Sequence, residues 1–394
     1  MRTVPLQQIC GIQIGRTPSR SVPEYWGGDL PWVTIRDFAG GRIVETTTER
    51  ITEVGAKKSG SKLIPRGTLL LSFKLSLGKR AYAGCDLFTN EAIAALQVRD
   101  QEVADRDYLY WALGSIDYDR LVDRAAKGKT LNKAKLKILQ IPLPPLAEQK
   151  RIAGILDAAD ALRAKRRESL AQLDTLLQSV FLDMFGDPVT NPMGWEMKYL
   201  PDLVSEQRHS LKRGPFGGAL KKEIFVQEGF KVYEQKNVIY DDFDTGSYFI
   251  KKPDYERLAA FQVKPNDLLI SCSGTIGRIA TVPVEAAPGV MNQALLKIDL
   301  DEARTLNSFF VALWRSQPFA RQVLGMTHGT GMKNMKSMNE LKGIRFPIPP
   351  LDRQHRFAAI AESVEHQKTN QRAHLAELDT LFASLQSRAF RGEL

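Results

Sequence analysis

The run LKILQIPLPPLAEQKRIAGILDAADALRAKRRESLAQLDTLLQSVFLDMFG, residues 136–186, returns at 341–391 as LKGIRFPIPPLDRQHRFAAIAESVEHQKTNQRAHLAELDTLFASLQSRAFR. Overlaid without a gap, the two copies agree at roughly 19 of about 51 positions. The matches cluster. Pro142, Pro144, Pro145, Leu146, Gln149 and Arg151 open the first copy, and Leu173-Asp174-Thr175-Leu176 recurs as Leu378-Asp379-Thr380-Leu381. The rest of the chain is arranged around this duplication.

Each copy opens with prolines, which fix φ, lack an N–H and turn the preceding residue away from helical angles. Apolar residues then recur at helical spacing: Ile152, Leu156, Ala159, Leu162, Leu170, Leu173, Leu177, Val180 and Met184, and later Phe357, Ile360, Val364, Leu375, Leu378, Phe382 and Leu385. Steps of three and four make a narrow seam of coiled-coil type, broken by Arg166 and Gln371. A helix from Leu146 to Met184 is on the order of 60 Å long, and an amphipathic helix of that length needs a partner. The expected contact residues are Leu146, Ile152, Leu156, Leu170, Leu173 and Leu177 with Leu351, Phe357, Ile360, Leu375, Leu378 and Phe382. Two similar helices in one chain can pack on each other, antiparallel, about an approximate two-fold axis. The alternative is that each packs only on its own neighbouring globular part.

Outside the helices the chain divides into 1–140 and 187–345, with helices at 141–186 and 346–394. The fold class is α+β, two α/β globular domains and two long helices forming an antiparallel coiled coil. In the first globular part short β-type runs occur at Trp32-Val33-Thr34-Ile35, at 67–72, at 81–83 and at 93–98, with a helix over Asp107 to Val122. In the second they occur at 230–233, 267–271, 277–280 and 294–298, with a helix over Leu306 to Val323. The order of elements is shared, although the sequences are not. Gly78 corresponds to Gly277 and Asn90 to Asn292.

With 394 residues and a net charge of +10, the chain has room for several domains and suits a polyanionic partner. A merely basic surface is the competing explanation. No signal-type N-terminus and no apolar run of about 18 residues is present, so a cytoplasmic location without membrane attachment is expected. Cys10, Cys85 and Cys272 form neither a disulfide framework nor a thiolate zinc site.

Catalytic patterns are missing. Gly128-Lys129-Thr130 resembles the end of a phosphate-binding loop, but the first glycine of that motif would fall at Asp123. No catalytic carboxylate pair, metal-ligand set or cofactor site stands out. Basic residues near turns are more informative, because Lys and Arg neutralise phosphates and Arg also bonds base edges. The candidates are Arg16, Arg36, Lys74, Lys79, Arg80, Lys129, Lys133 and Lys135 in the first part, and Lys212, Arg213, Lys236, Arg278, Lys333 and Lys336 in the second. Three function classes stay open: a DNA-recognition subunit, a standalone nuclease or methyltransferase, and a protein-interaction scaffold.

The chain resembles the DNA-specificity subunits of type I restriction-modification systems. The likeness rests on Pro142-Leu143-Pro144-Pro145-Leu146 and its echo Pro347-Ile348-Pro349-Pro350-Leu351, on the repeated Leu-Asp-Thr-Leu, and on the order of two units and two helices. It implies two target-recognition domains, each reading half of a split double-stranded DNA target. It also implies a coiled-coil spacer, two docked methyltransferase (modification) subunits and, when present, restriction or motor subunits. S-adenosylmethionine, ATP and Mg would belong to those partners, and this chain would not be catalytic. Arg353 and His355 stand where the first copy has Glu148 and Lys150, so the two docking surfaces need not be equivalent.

Overall fold

The computed structural model describes residues 2–121, 131–216, 218–323, 325 and 335–394. Both repeated stretches are single helices, Leu146–Phe185 and Leu351–Arg391, of 40 and 41 residues. Each starts where the prolines cease to obstruct. The Pro145 carbonyl accepts from the N–H groups of Glu148 and Gln149, and that of Pro350 from Arg353 and Gln354. The first helix stops at Gly186, whose φ of +75° lies in the left-handed region that glycine adopts without strain.

The chain forms two compact units, Met1–Arg167 with Ala373–Leu394, and Glu168–Arg372. The sequence division at the helix starts therefore differs from the packing, in which each unit takes half of both helices. In the first unit the helix residues Ile152, Ala153, Leu156, Phe382 and Ala389 share one core with Tyr108, Leu109, Trp111 and Leu113 of the globular part. Trp111 and Phe382 rings lie 5.3 Å apart. Arg42 donates to Asp157 at 2.5 Å and stacks 4.4 Å from the Tyr110 ring, while the Trp111 indole N–H reaches the same carboxylate at 2.8 Å. In the second unit Phe181 and Phe185 of the first helix each pack on both Phe309 and Phe357, the latter from the second helix, with ring centroids 4.9 to 5.7 Å apart.

Within each unit the helix halves run antiparallel. Arg151 meets the carbonyl of Leu394 at 2.5 Å and Arg163 meets Asp379 at 2.6 Å. In the other unit Asp174 pairs with Lys368 at 2.8 Å and Phe181 faces Phe357. Ile152, Leu156, Phe357 and Phe382 are buried. Leu146, Leu170, Leu173, Leu177, Leu351, Leu375 and Leu378, with Arg166 and Gln371, are partly buried. Ile360 departs from the expected seam and is 38 % exposed. Val364 and Lys368, seven and eleven residues after Phe357, stay within about 20° of its direction, whereas a step of three turns away by about 60°.

The globular parts repeat one plan. The first holds a sheet in the order Cys10–Ile14, Ile93–Val98, Leu69–Ser72, Arg80–Ala83, Ile43–Val44. The second holds Leu211–Arg213, Leu295–Ile298, Leu268–Ser271, Ile279–Thr281 in the corresponding order. Each also has a second sheet containing one parallel pair, Trp26–Val33 with Phe88–Thr89 and Phe230–Tyr233 with Gly289–Met291. Each closes on itself: Thr3–Pro5 pairs with Gln140–Pro142, and Glu196–Tyr199 with Arg345–Ile348. The helices after the sheets are shorter than their apolar patterns suggest, Arg106–Gly114 and Asn307–Arg315. Gly114 and Pro318 are the local reasons, one weakening the helix and one denying it an N–H.

Candidate nucleic-acid interface

Four segments converge at one end of the first unit's large sheet. After strand Cys10–Ile14 comes Gly15, whose N–H bonds Ile93 O at 3.1 Å. A Cβ on Gly15 would lie 2.2 Å from the carbonyls of Thr89 and Asn90, so only glycine lets these segments touch. Asn90 is fixed in turn, its side-chain oxygen accepting from Ala92 N–H and its own N–H bonding Val33 O. Phe73 N–H bonds Ala92 O at 3.0 Å, and Leu131 N–H bonds Phe73 O at 2.9 Å. Residues 15–17, 72–79, 89–92 and Leu131 are thereby tied into one surface.

The second unit builds the same junction. A Cβ on Gly214 would lie 1.9 Å from Asn292 O, the Asn292 side chain accepts from Ala294 N–H, and its N–H bonds Tyr233 O. Cys272 N–H bonds Ala294 O at 2.8 Å, and Met335 N–H bonds Cys272 O at 3.2 Å. The turn between the two central strands is held alike in both. Buried Ser72 donates to Ser76 O and accepts from Lys79 N–H; buried Ser271 donates to Thr275 O and accepts from Arg278 N–H.

The junctions gather part of the basic set. Exposed Arg16 and Lys79 and partly exposed Lys74 stand on the first, with exposed Lys133 two residues beyond Leu131. Arg278 is exposed on the second. Arg213 precedes Gly214 with its guanidinium 5.8 Å from the Phe216 ring, and Lys336 follows Met335. Lys236 is paired with Glu234 at 2.9 Å beside Gln235, whose amide oxygen accepts from Ser273 N–H. Arg36 is exposed on the turn Ile35–Gly40.

Other candidates are engaged within the fold, as Arg16 is in part by donating to Ser59 O at 3.3 Å and Lys74 by lying 5.7 Å from the Phe73 ring. Arg80 stacks 4.7 Å over Tyr110 and occupies the space a Gly114 side chain would need. Lys135 donates to Leu121 O at 3.1 Å, and the Lys212 ammonium sits 5.4 Å from the Phe261 ring. Lys129 and Lys333 lie outside the described residues.

Sequence reading missed Arg20. Its guanidinium lies 3.8 Å over the Trp26 ring and 5.1 Å from Trp32, and it is paired with Glu49, whose carboxyl the hydrogen bond from Arg20 holds below its ordinary range. The Trp32 indole N–H bonds Arg16 O, tying this stack to the junction. A break in strand register between Trp26 and Leu30 hides the two tryptophans from any simple period. Among the described residues no group of His, Cys, Asp or Glu could hold a metal ion, and no helix is long and apolar enough to cross a membrane.

Residues 1–173 and 214–379 match the family described as type I restriction modification DNA specificity domain. The MjaIX specificity subunit of a type I restriction enzyme from Methanocaldococcus jannaschii is 23 % identical over 99 % of this chain and 92 % of its own. The EcoBI specificity subunit from Escherichia coli is 23 % identical over 93 % of this chain and 80 % of its own. A crystal structure of a type I restriction-modification S subunit from M. genitalium superposes with a TM-score of 0.53 at 15 % identity, covering 98 % of this chain and 95 % of that one. A chain from a study of type I system assembly and conformational transition gives a TM-score of 0.56 at 18 % identity, over 100 % and 98 %.

Proposed function

Because the chain belongs to the type I restriction-modification DNA specificity family, we propose that it is the sequence-reading subunit of such a complex and performs no catalysis itself. One observation carries this reading: the loop junction is built twice, on Gly15 with Asn90 and on Gly214 with Asn292, under different side chains. A constant backbone frame with changing side chains suits the recognition of two unlike base sequences. Each unit then reads one half of a bipartite double-stranded DNA target, its Lys and Arg holding phosphates and its loop side chains meeting base edges.

The long helices set the separation of the half-sites and dock two methyltransferase subunits through their repeated features, with restriction or motor subunits joining where present. S-adenosylmethionine on the methyltransferases supplies the methyl group, and ATP with Mg serves the motor. The complex acts on cytoplasmic DNA.

The test is co-purification with the methyltransferase encoded beside this chain, followed by sequencing of methylated sites in cells with and without it. Methylation at a split motif that disappears on deletion is the expected result. Absence of both partner and methylation change sinks the reading and leaves an interaction scaffold in its place.

A further inference from the structure

We infer that Leu75 is an apolar base contact in the half-site read by the first unit, presented by a loop held under strain for that purpose. The inference rests on the function proposed above. Leu75 is 73 % exposed and adopts a φ of +64°, at the centre of a three-residue turn in which Ser76 N–H bonds Lys74 O at 2.8 Å. Such a turn with positive φ is unfavourable for a bulky side chain. The corresponding residue in the second unit is Gly274, with a φ of +62° and open space where a Cβ would point. The loop therefore accepts glycine. A leucine there gains no burial and strains the backbone, so its side chain serves something outside the fold.

The loop under it is rigid. Ser72 is fully buried and bonds across the loop to Ser76 O and Lys79 N–H, and Gly78 N–H returns to Ser72 O at 2.9 Å. Gly78 lies so close to the Tyr118 ring that a Cβ would come within 2.6 Å of it. A side chain held this way is preorganised for contact. Lys79, exposed, and Lys74, partly exposed with its ammonium 5.7 Å from the Phe73 ring, flank it. Between two phosphate-holding cations, an apolar tip meets the bases, through a thymine methyl or the face of a base step.

The experiment uses the chain assembled with its modification subunits and duplexes carrying the motif that this complex methylates in cells. Leu75→Gly and Leu75→Asn both tolerate the positive φ, so both variants are expected to unfold at or above the wild-type temperature. Affinity for the cognate duplex should fall about tenfold or more, with preference relaxed in one half-site only and the salt dependence unchanged. Lys74→Ala should instead weaken binding to every duplex and lower the salt slope by about one. Cognate affinity and half-site preference within about twofold of wild type for both variants would overturn the inference. So would an equal loss on all duplexes accompanied by loss of a modification subunit, which makes Leu75 a protein contact. If the wild-type complex itself shows no split preference, the parent reading fails and this one falls with it, an outcome visible in the control alone.

Discussion

Arg163 donates to the Asp379 carboxylate at 2.6 Å, and the residues that overlay them in the other copy, Lys368 and Asp174, make the reciprocal pair at 2.8 Å. Each cation has a second partner one turn back on its own helix, Asp160 for Arg163 and Glu365 for Lys368, both at 2.9 Å. The duplicated sequence thus produces a duplicated contact, once in each unit. Lys368 is only 6 % exposed, so its ammonium is largely removed from water. Removing one member of a fully buried pair is costly, but the carboxylates of Asp174 and Glu365 are about half exposed or more, so water solvates them when the cation is replaced by an apolar side chain. Asp174→Ala should lower the unfolding free energy by on the order of 1 kcal/mol, and Lys368→Met by less, as read from urea denaturation midpoints.

Gln149 and Gln354 are fully buried and work alike. The oxygen of Gln149 accepts from Asp105 N–H at 2.8 Å while its amide donates to Pro144 O and Val103 O. That of Gln354 accepts from Leu306 N–H at 2.9 Å while its amide donates to Pro349 O and Arg304 O. Each clamps the start of a globular helix to the start of a long one. Gln149→Leu and Gln354→Leu strand these backbone groups and should each cost about 2–4 kcal/mol, nearly additively in the double variant since they share no partner. Thermal unfolding of the three variants checks this.

Gly15→Ala and Gly214→Ala push a methyl into a neighbouring carbonyl. Overpacking of this kind typically costs about 1–3 kcal/mol, and here it moves loop segments. Methylation sequencing should show the motif degraded in one half for Gly15→Ala and in the other half for Gly214→Ala.

Asp267 and Lys297 form a buried pair at 3.9 Å. Burial outweighs the Lys264 N–H bond and the nearby ammonium, and pushes the Asp267 carboxyl from 3.8 up to about 6. The folded protein therefore holds this proton more tightly than the unfolded chain. The resulting stability is fully present below about pH 4 and is lost as pH rises through about 6. Asp267→Asn should flatten that part of the stability profile, measured by urea unfolding between pH 4 and 7.

Inserting four residues after both Arg166 and Gln371 lengthens each helix by about 6 Å. On the proposed function, the gap between the two halves of the methylated motif should widen by one or two base pairs. An unchanged gap with intact methylation counts against the helices as a spacer.

The long helices were legible because prolines mark their starts and their apolar period resumes beyond the polar breaks at Arg166 and Gln371. The central strands Leu69–Ser72, Ile93–Val98, Leu268–Ser271 and Leu295–Ile298 were legible as short apolar runs, whereas Cys10–Ile14, Leu211–Arg213 and Gly289–Met291 were not, and the Asn90–Asn292 equivalence was visible without its reason. That reason, a carbonyl pressed against Gly15 or Gly214, joins residues far apart in the chain and leaves no local trace. Arg80 reads as a surface cation until its stacking on Tyr110 is seen, and the Arg20–Trp26 stack depends on a register break. Ile360, 38 % exposed, lies off the line of Phe357, Val364 and Lys368, because three-and-four stepping drifts with the gradual rotation of a 3.6-residue helix.

The short ladders Thr3–Pro5 with Gln140–Pro142 and Glu196–Tyr199 with Arg345–Ile348 bring the entrance and exit of each globular part side by side. A segment whose two ends meet at one place is a cassette: it can be exchanged for another of unlike sequence and length, provided the newcomer supplies the same closing strands. The flanking helices repeat their proline entries and their Leu-Asp-Thr-Leu segments, so both cassettes are mounted on the same kind of support.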